Sequence, residues 1–110
     1  MNFAFNYLQY NAFCTEDQYP YKAVEGTCAL SKCTDGPKDK GFINITPGDE
    51  NAVLTALVDG PVYVSVDSFS WAFYSGGILD SCGTAIDHGV VLIKSNSTEG
   101  SITIRNSLGS

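Results

Sequence analysis

An α+β fold is what this 110-residue sequence predicts: a small, mainly antiparallel β-sheet with a short N-terminal helix and one further helix near residues 47–58. Three observations lead there. "TPGDENAVLTALVDG" places apolar residues at helical spacing between a capping signal and a glycine. "PVYVSVD" alternates Val62, Val64 and Val66 with Tyr63 and Ser65, the period of a half-buried strand. "HGVVLIKS" and "SITIRNS" are strand-like runs joined by the polar loop "NSTEG", the pattern of a hairpin.

In chain order, Phe3, Ala4, Tyr7 and Leu8 recur at a helical interval, which predicts a helix ending near Asn11. From Cys14 to Gly41 no period persists. Gly, Pro, Asp and three cysteines predict a long irregular segment there, tied down by cross-links or by a partner surface. "FINI", residues 42–45, reads as a strand. In the second helix Thr46 is the expected cap, Pro47 the first helical residue, and Asp49 the capping-box carboxylate. Val53, Ala56 and Leu57 are its expected buried stripe, and Gly60 its end. Asp49 and Glu50 thus belong to a helix N-terminus rather than to acid–base chemistry. "SFSWAFY" opens a long loop and reads as a packed aromatic cluster around Trp71 rather than a ligand cage.

Composition narrows the function. With 44% hydrophobic and 16% charged residues the chain is globular and small enough to be one domain. The net charge of −6 and the scattered basic residues offer no stripe for a phosphate backbone, so nucleic acid is not an expected partner. No apolar run approaches the roughly 20 residues that span a bilayer, so no membrane role is expected. The opening residues lack a basic segment before an apolar core and do not read as a secretory signal. Four cysteines without a C-x-x-C, and one histidine, argue against zinc or any metal centre. Disulfides in a protein of the secretory pathway are the better reading, and the count leaves three connectivities open. Sequons at Asn44 and Asn96 are compatible with it.

The histidine, His88, starts the first hairpin strand, and Asn106 lies near the end of the second. Residues paired across a hairpin have position numbers of constant total. A turn centred near Ser97 and Thr98 makes that total 194 or 195, and His88 with Asn106 gives 194. The two are therefore expected opposite each other, with Cβ atoms roughly 5 Å apart. A carboxamide beside an imidazole accepts its N–H and so fixes ring orientation and tautomer. That is how the base is oriented in Cys-His-Asn hydrolysis. Against it stand a histidine and an asparagine with merely structural roles at strand ends. Ser107 as a nucleophile for His88 is disfavoured, because strand alternation sends it to the opposite face.

The successive segments "TEDQYPYKAVEGTC", "PGDENAVLTALVDGPVYVSVD", "FYSGGI", "DHGVVLI" and "RNSLG" resemble, in order, the landmarks of the papain-like cysteine proteases. The likeness covers essentially all of residues 1–110 and implies the right-hand half of that fold. By that resemblance His88 matches the general base and Asn106 the residue that orients it. Ser65, Ile86, Gly89 and Met1 match positions lining the pocket for the second side chain before the scissile bond. Asp87 lies where leaving-side residues of a substrate approach.

The same resemblance implies departures. Residues 1–110 read as a partial peptidase domain, lacking the nucleophile-bearing half and the final strands. Cys28 and Cys82 match cysteines that form disulfides with partners outside this sequence, while Cys14 and Cys33 are additions that could cross-link each other. Leu108 stands where a tryptophan normally shields the His–Asn contact. Lys94-Ser95 and Ser101-Ile102 replace a usual Gly-Tyr and paired aromatics. The expectation is a fragment of a cysteine endopeptidase, inactive alone, of lysosomal, vacuolar or extracellular location. It needs no cofactor, and its partners are peptide or protein substrates and a complementary protein segment on the His88 face. The rival expectation is a non-catalytic binding or structural module with Trp71 among its apolar anchors.

Overall fold

The computed structural model describes residues 1–34 and 36–107 and divides into two compact units, Met1–Asn44 and Ile45–Ser110. In the first unit, helix α1 runs Asn2–Tyr10, and the Asn11 amide and side chain both donate to Tyr7 O, at 3.0 and 2.9 Å, to close it. Its covered side differs from the expected stripe. Phe5 and Leu8 are half-buried, whereas Phe3, Ala4 and Tyr7 are exposed. The reason is local: Phe5 stacks on Phe42 with ring centroids 5.6 Å apart, and Asp39 N–H donates to Leu8 O at 3.0 Å.

Beyond α1 this unit is irregular, apart from a 3₁₀ turn at Leu30–Lys32. Cys14 and Cys33 form the disulfide, with Cα atoms 4.6 Å apart. Near it Phe13 N–H donates to Pro37 O at 2.8 Å, and the Gln18 amide donates to Thr34 O and Oγ1 at 3.0 and 3.1 Å. The expected strand at 42–45 does not form. Phe42 is drawn onto Phe5, Ile43 is 92% exposed, and among the described residues no neighbouring strand takes up the segment's backbone groups.

In the second unit the predicted helix is present as α2, Glu50–Asp59, but it starts later than expected. Thr46–Asp49 is a turn, with Asp49 N–H donating to Thr46 O at 3.2 Å. Pro47 supplies the fixed φ at its second position, and Gly48 takes φ 80° at its third. A residue in that left-handed conformation cannot begin a helix, so capping passes from Thr46 to Asp49, whose Oδ1 accepts from Ala52 N–H at 2.9 Å. Ala52, Val53, Ala56 and Leu57 form the half-buried side, and Gly60 caps the C-terminus.

Strands β1 (Val62–Val66), β2 (His88–Asn96) and β3 (Ser101–Arg105) form an antiparallel sheet in the order β1-β2-β3. Val62, Val64 and Val66 pair with Leu92, Val90 and His88 on one face. Helix α2 packs on β1 and β2, and Val90 and Leu92, 3% and 1% exposed, are the fully buried apolar residues among those described. His88 is thus the outermost member of the row of side chains that builds the core. Between β1 and β2, Phe69–Phe73 is a 3₁₀ segment. The expected aromatic cluster is not realised there: Trp71 is half-buried, but Phe69 and Phe73 are 86% and 89% exposed.

Candidate active site

His88 Nε2 lies 2.8 Å from Asn106 Oδ1. The same Oδ1 accepts from the Ser107 backbone N–H at 2.8 Å. That second bond assigns the first. A backbone N–H can only donate, so the atom it meets is the amide oxygen, and a neutral His88 must carry its proton on Nε2. Nδ1 then holds the free lone pair.

The register that brings the two side chains together is not the expected one. Asn96–Ser101, Ser95–Ile102 and Lys94–Thr103 pair with totals of 197 rather than 194 or 195. An irregularity between Leu92 and Lys94 then absorbs Ile93, and Leu92–Ile104 and Val91–Arg105 total 196. On that register Asn106 falls opposite Val90, so it is the diagonal neighbour of His88 rather than its direct partner. Diagonal neighbours share a face and lie within reach of an imidazole and a carboxamide. Had the total stayed at 197, Asn106 would face Val91, on the other side of the sheet. The bulge at Ile93 is what makes the contact possible.

Two further groups hold this end of β2. Ser68 donates to Asp87 Oδ1 through its N–H at 2.8 Å and through its hydroxyl at 3.0 Å. These bonds, the backbone one foremost, keep the Asp87 carboxyl below its ordinary value of 3.8, and the adjacent His88 adds a smaller effect in the same direction. The Trp71 ring meets the imidazole edge-to-face, with centroids 5.8 Å apart at 86°. Spacing carried no signal for Trp71 or Ser68, since a loop of unknown path delivers both.

The other expected site residues divide into groups. Ser65 and Gly89 are direct partners across β1 and β2. Tyr63, not foreseen, lies over them: its hydroxyl accepts from Ser65 Oγ at 3.3 Å, and its ring occupies the space where a Cβ on Gly89 would be. Ile86 and Asp87 instead line an open cleft of about 680 Å³ with Asp67, Phe69, Cys82 and Gly83. Asp67 braces that cleft by accepting from Phe69 N–H at 3.0 Å and Ala85 N–H at 2.9 Å. Its carboxylate fills the space a Cβ on Gly83 would need. Met1 belongs to the first unit and is exposed. Cys28 and Cys82 are free thiols, both exposed, and Leu108 lies outside the described residues.

A three-stranded antiparallel sheet thus carries an imidazole–carboxamide pair at one end. A family model described as papain family cysteine protease matches residues 1–110, and the chain belongs to that family. It is 39% identical over 118 aligned positions to vignain of Ricinus communis, covering 99% of this chain and 32% of the relative. To cathepsin L 2 of Paramecium tetraurelia it is 38% identical over 110 residues, covering 100% of this chain and 34% of the relative. The crystal structure of the Carica candamarcensis cysteine protease CMS1MS2 in complex with E-64 superposes with a TM-score of 0.79 at 32% identity, over 98% of this chain and 52% of that one. The chain therefore spans about a third of these two curated relatives and about half of the solved structure.

Proposed function

We propose that this chain carries the base-bearing part of a papain-like cysteine endopeptidase, and the tautomer imposed at His88 supports that reading best. With Nε2–H donating to Asn106, Nδ1 is the atom free to take a proton from a thiol. In the intact peptidase the resulting thiolate attacks a peptide carbonyl, and His88 returns the proton to the leaving amine. His88 then activates water for deacylation, with Asn106 holding the ring throughout. By the family resemblance Ser65, Gly89 and Ile86 are assigned to the pocket for the second residue before the cleaved bond, and Asp87 to the leaving side. The substrate is a peptide or protein, and a lysosomal, vacuolar or extracellular setting fits the disulfide.

The nucleophile is assigned to a complementary protein segment, because none of the four cysteines of this sequence suits the role. Cys14 and Cys33 are bonded to each other. Cys28 and Cys82 are free in this chain, and by the family resemblance they match cysteines that pair with partners outside this sequence rather than the nucleophile. The 110-residue chain is accordingly expected to leave a fluorogenic peptide intact at mildly acidic pH; turnover blocked by a thiol-directed inhibitor would refute this. Joined behind the nucleophile-bearing half of a papain-family enzyme, it is expected to support thiol-inhibitable hydrolysis. His88→Ala should then lower kcat by about 10²–10⁴-fold. A folded fusion whose rate is indifferent to His88 would favour the second reading, a non-catalytic module. Phe69 and Phe73, at 86% and 89% exposed, are the apolar side chains that would anchor such a partner.

A further inference from the structure

The single hydrogen bond from Nε2 to Asn106 fixes a distance but leaves the imidazole plane free to swing about it. Something else must hold the plane. Ser68 uses all of its polar groups around this point. Its N–H and hydroxyl both donate to Asp87, the residue preceding His88, and its carbonyl accepts from Trp71 N–H at 3.0 Å. Trp71 in turn rests edge-to-face on the His88 ring. Asp67, accepting from Phe69 N–H, fixes the start of the same 3₁₀ segment.

We propose that Ser68 and Trp71 are positioning residues for His88, a two-point clamp on the Asp87–His88 dipeptide. One point holds the backbone through the Asp87 carboxylate, and the other holds the imidazole plane through the indole. Neither residue touches reacting atoms. Their effect is to keep Nε2 on Asn106, and so Nδ1 unprotonated in the neutral ring. The catalytic meaning of the clamp rests on His88 being the base proposed above, whereas its physical effect can be read in the chain alone.

His88 is the sole histidine, so ¹⁵N-labelled 110-residue chain gives one pair of imidazole nitrogen signals, whose positions report the tautomer ratio of the neutral ring. Trp71→Leu, which keeps bulk but removes the ring, should raise the minor Nδ1–H form about threefold to tenfold, the range that loss of an aromatic pair implies. Trp71→Phe should restore most of the wild-type ratio. Ser68→Ala, which keeps the backbone donor, should raise the minor form about twofold, since one of two bonds to Asp87 remains. Backbone amide signals of the paired β1 and β2 residues report that the sheet is intact. An unchanged ratio in Trp71→Leu with those signals retained overturns the clamp. Ser68→Ala decides in the same way should the tryptophan variants lose the sheet. A clamp that responds as stated while the fusion fails to hydrolyse peptide refutes the peptidase reading alone.

Discussion

Residues 1–44 and residues 45–107 are held together by different means. The first unit contains no fully buried residue among those described. Its order comes from one cross-link, one aromatic pair and hydrogen bonds between loop and helix. The second unit has a three-stranded sheet, a helix across it and two completely buried side chains, both on β2. His88 lies on that same strand. The proposed base is therefore carried by the strand that holds both of the buried side chains.

Removing the packing should separate the two units most sharply. Leu92→Ala is expected to destabilise the second unit by about 2–5 kcal/mol, because a fully buried leucine leaves a cavity. Urea unfolding followed by Trp71 fluorescence measures it, and a loss under about 0.5 kcal/mol, the range of surface changes, would mean that Leu92 is not the core. Next comes reduction of Cys14–Cys33, which span a sequence separation of 19. It should cost the first unit about 3 kcal/mol of chain-entropy stabilisation. Amide exchange should then accelerate between residues 13 and 37 while β2 stays protected; equal acceleration in both regions would show that the cross-link does not act locally.

Asp49→Ala should cost about 1 kcal/mol, the worth of an N-cap, whereas Thr46→Ala should cost less than half of that. The reverse order in thermal melts would return the cap to Thr46. The smallest effect is that of pH on Asp87. Its carboxyl is held below its ordinary value, so the ionised form bonded to Ser68 favours folding above pH of about 4, and that contribution fades as acid protonates it. Asp87→Asn should flatten this part of the acid limb and lower stability slightly near neutrality, where the ionised form contributes.

Much of this was legible along the chain because it depends on neighbours in sequence. The period of Val62, Val64 and Val66, the apolar side of α2 and the hairpin loop are local patterns, and each element formed where its pattern lies. Local rules in competition were harder to rank. Thr46 and Asp49 are both capping residues, and the φ of 80° at Gly48 decided between them. "FINI" has strand propensity but no partner, and propensity without a ladder does not make a strand.

Sequence alone determined the two helices, three of the four expected strands, their order, and a histidine and an asparagine at matching ends of a hairpin. It did not determine how those two residues meet. A bulge at Ile93 shifts the pairing by one residue, and with a side-chain period of two that shift decides which face Asn106 occupies. Trp71 and Ser68 reach the Asp87–His88 dipeptide only because the 67–87 loop returns on itself. Parity across a sheet and the path of a loop depend on contacts between residues remote in sequence, and only the folded chain brings those residues together.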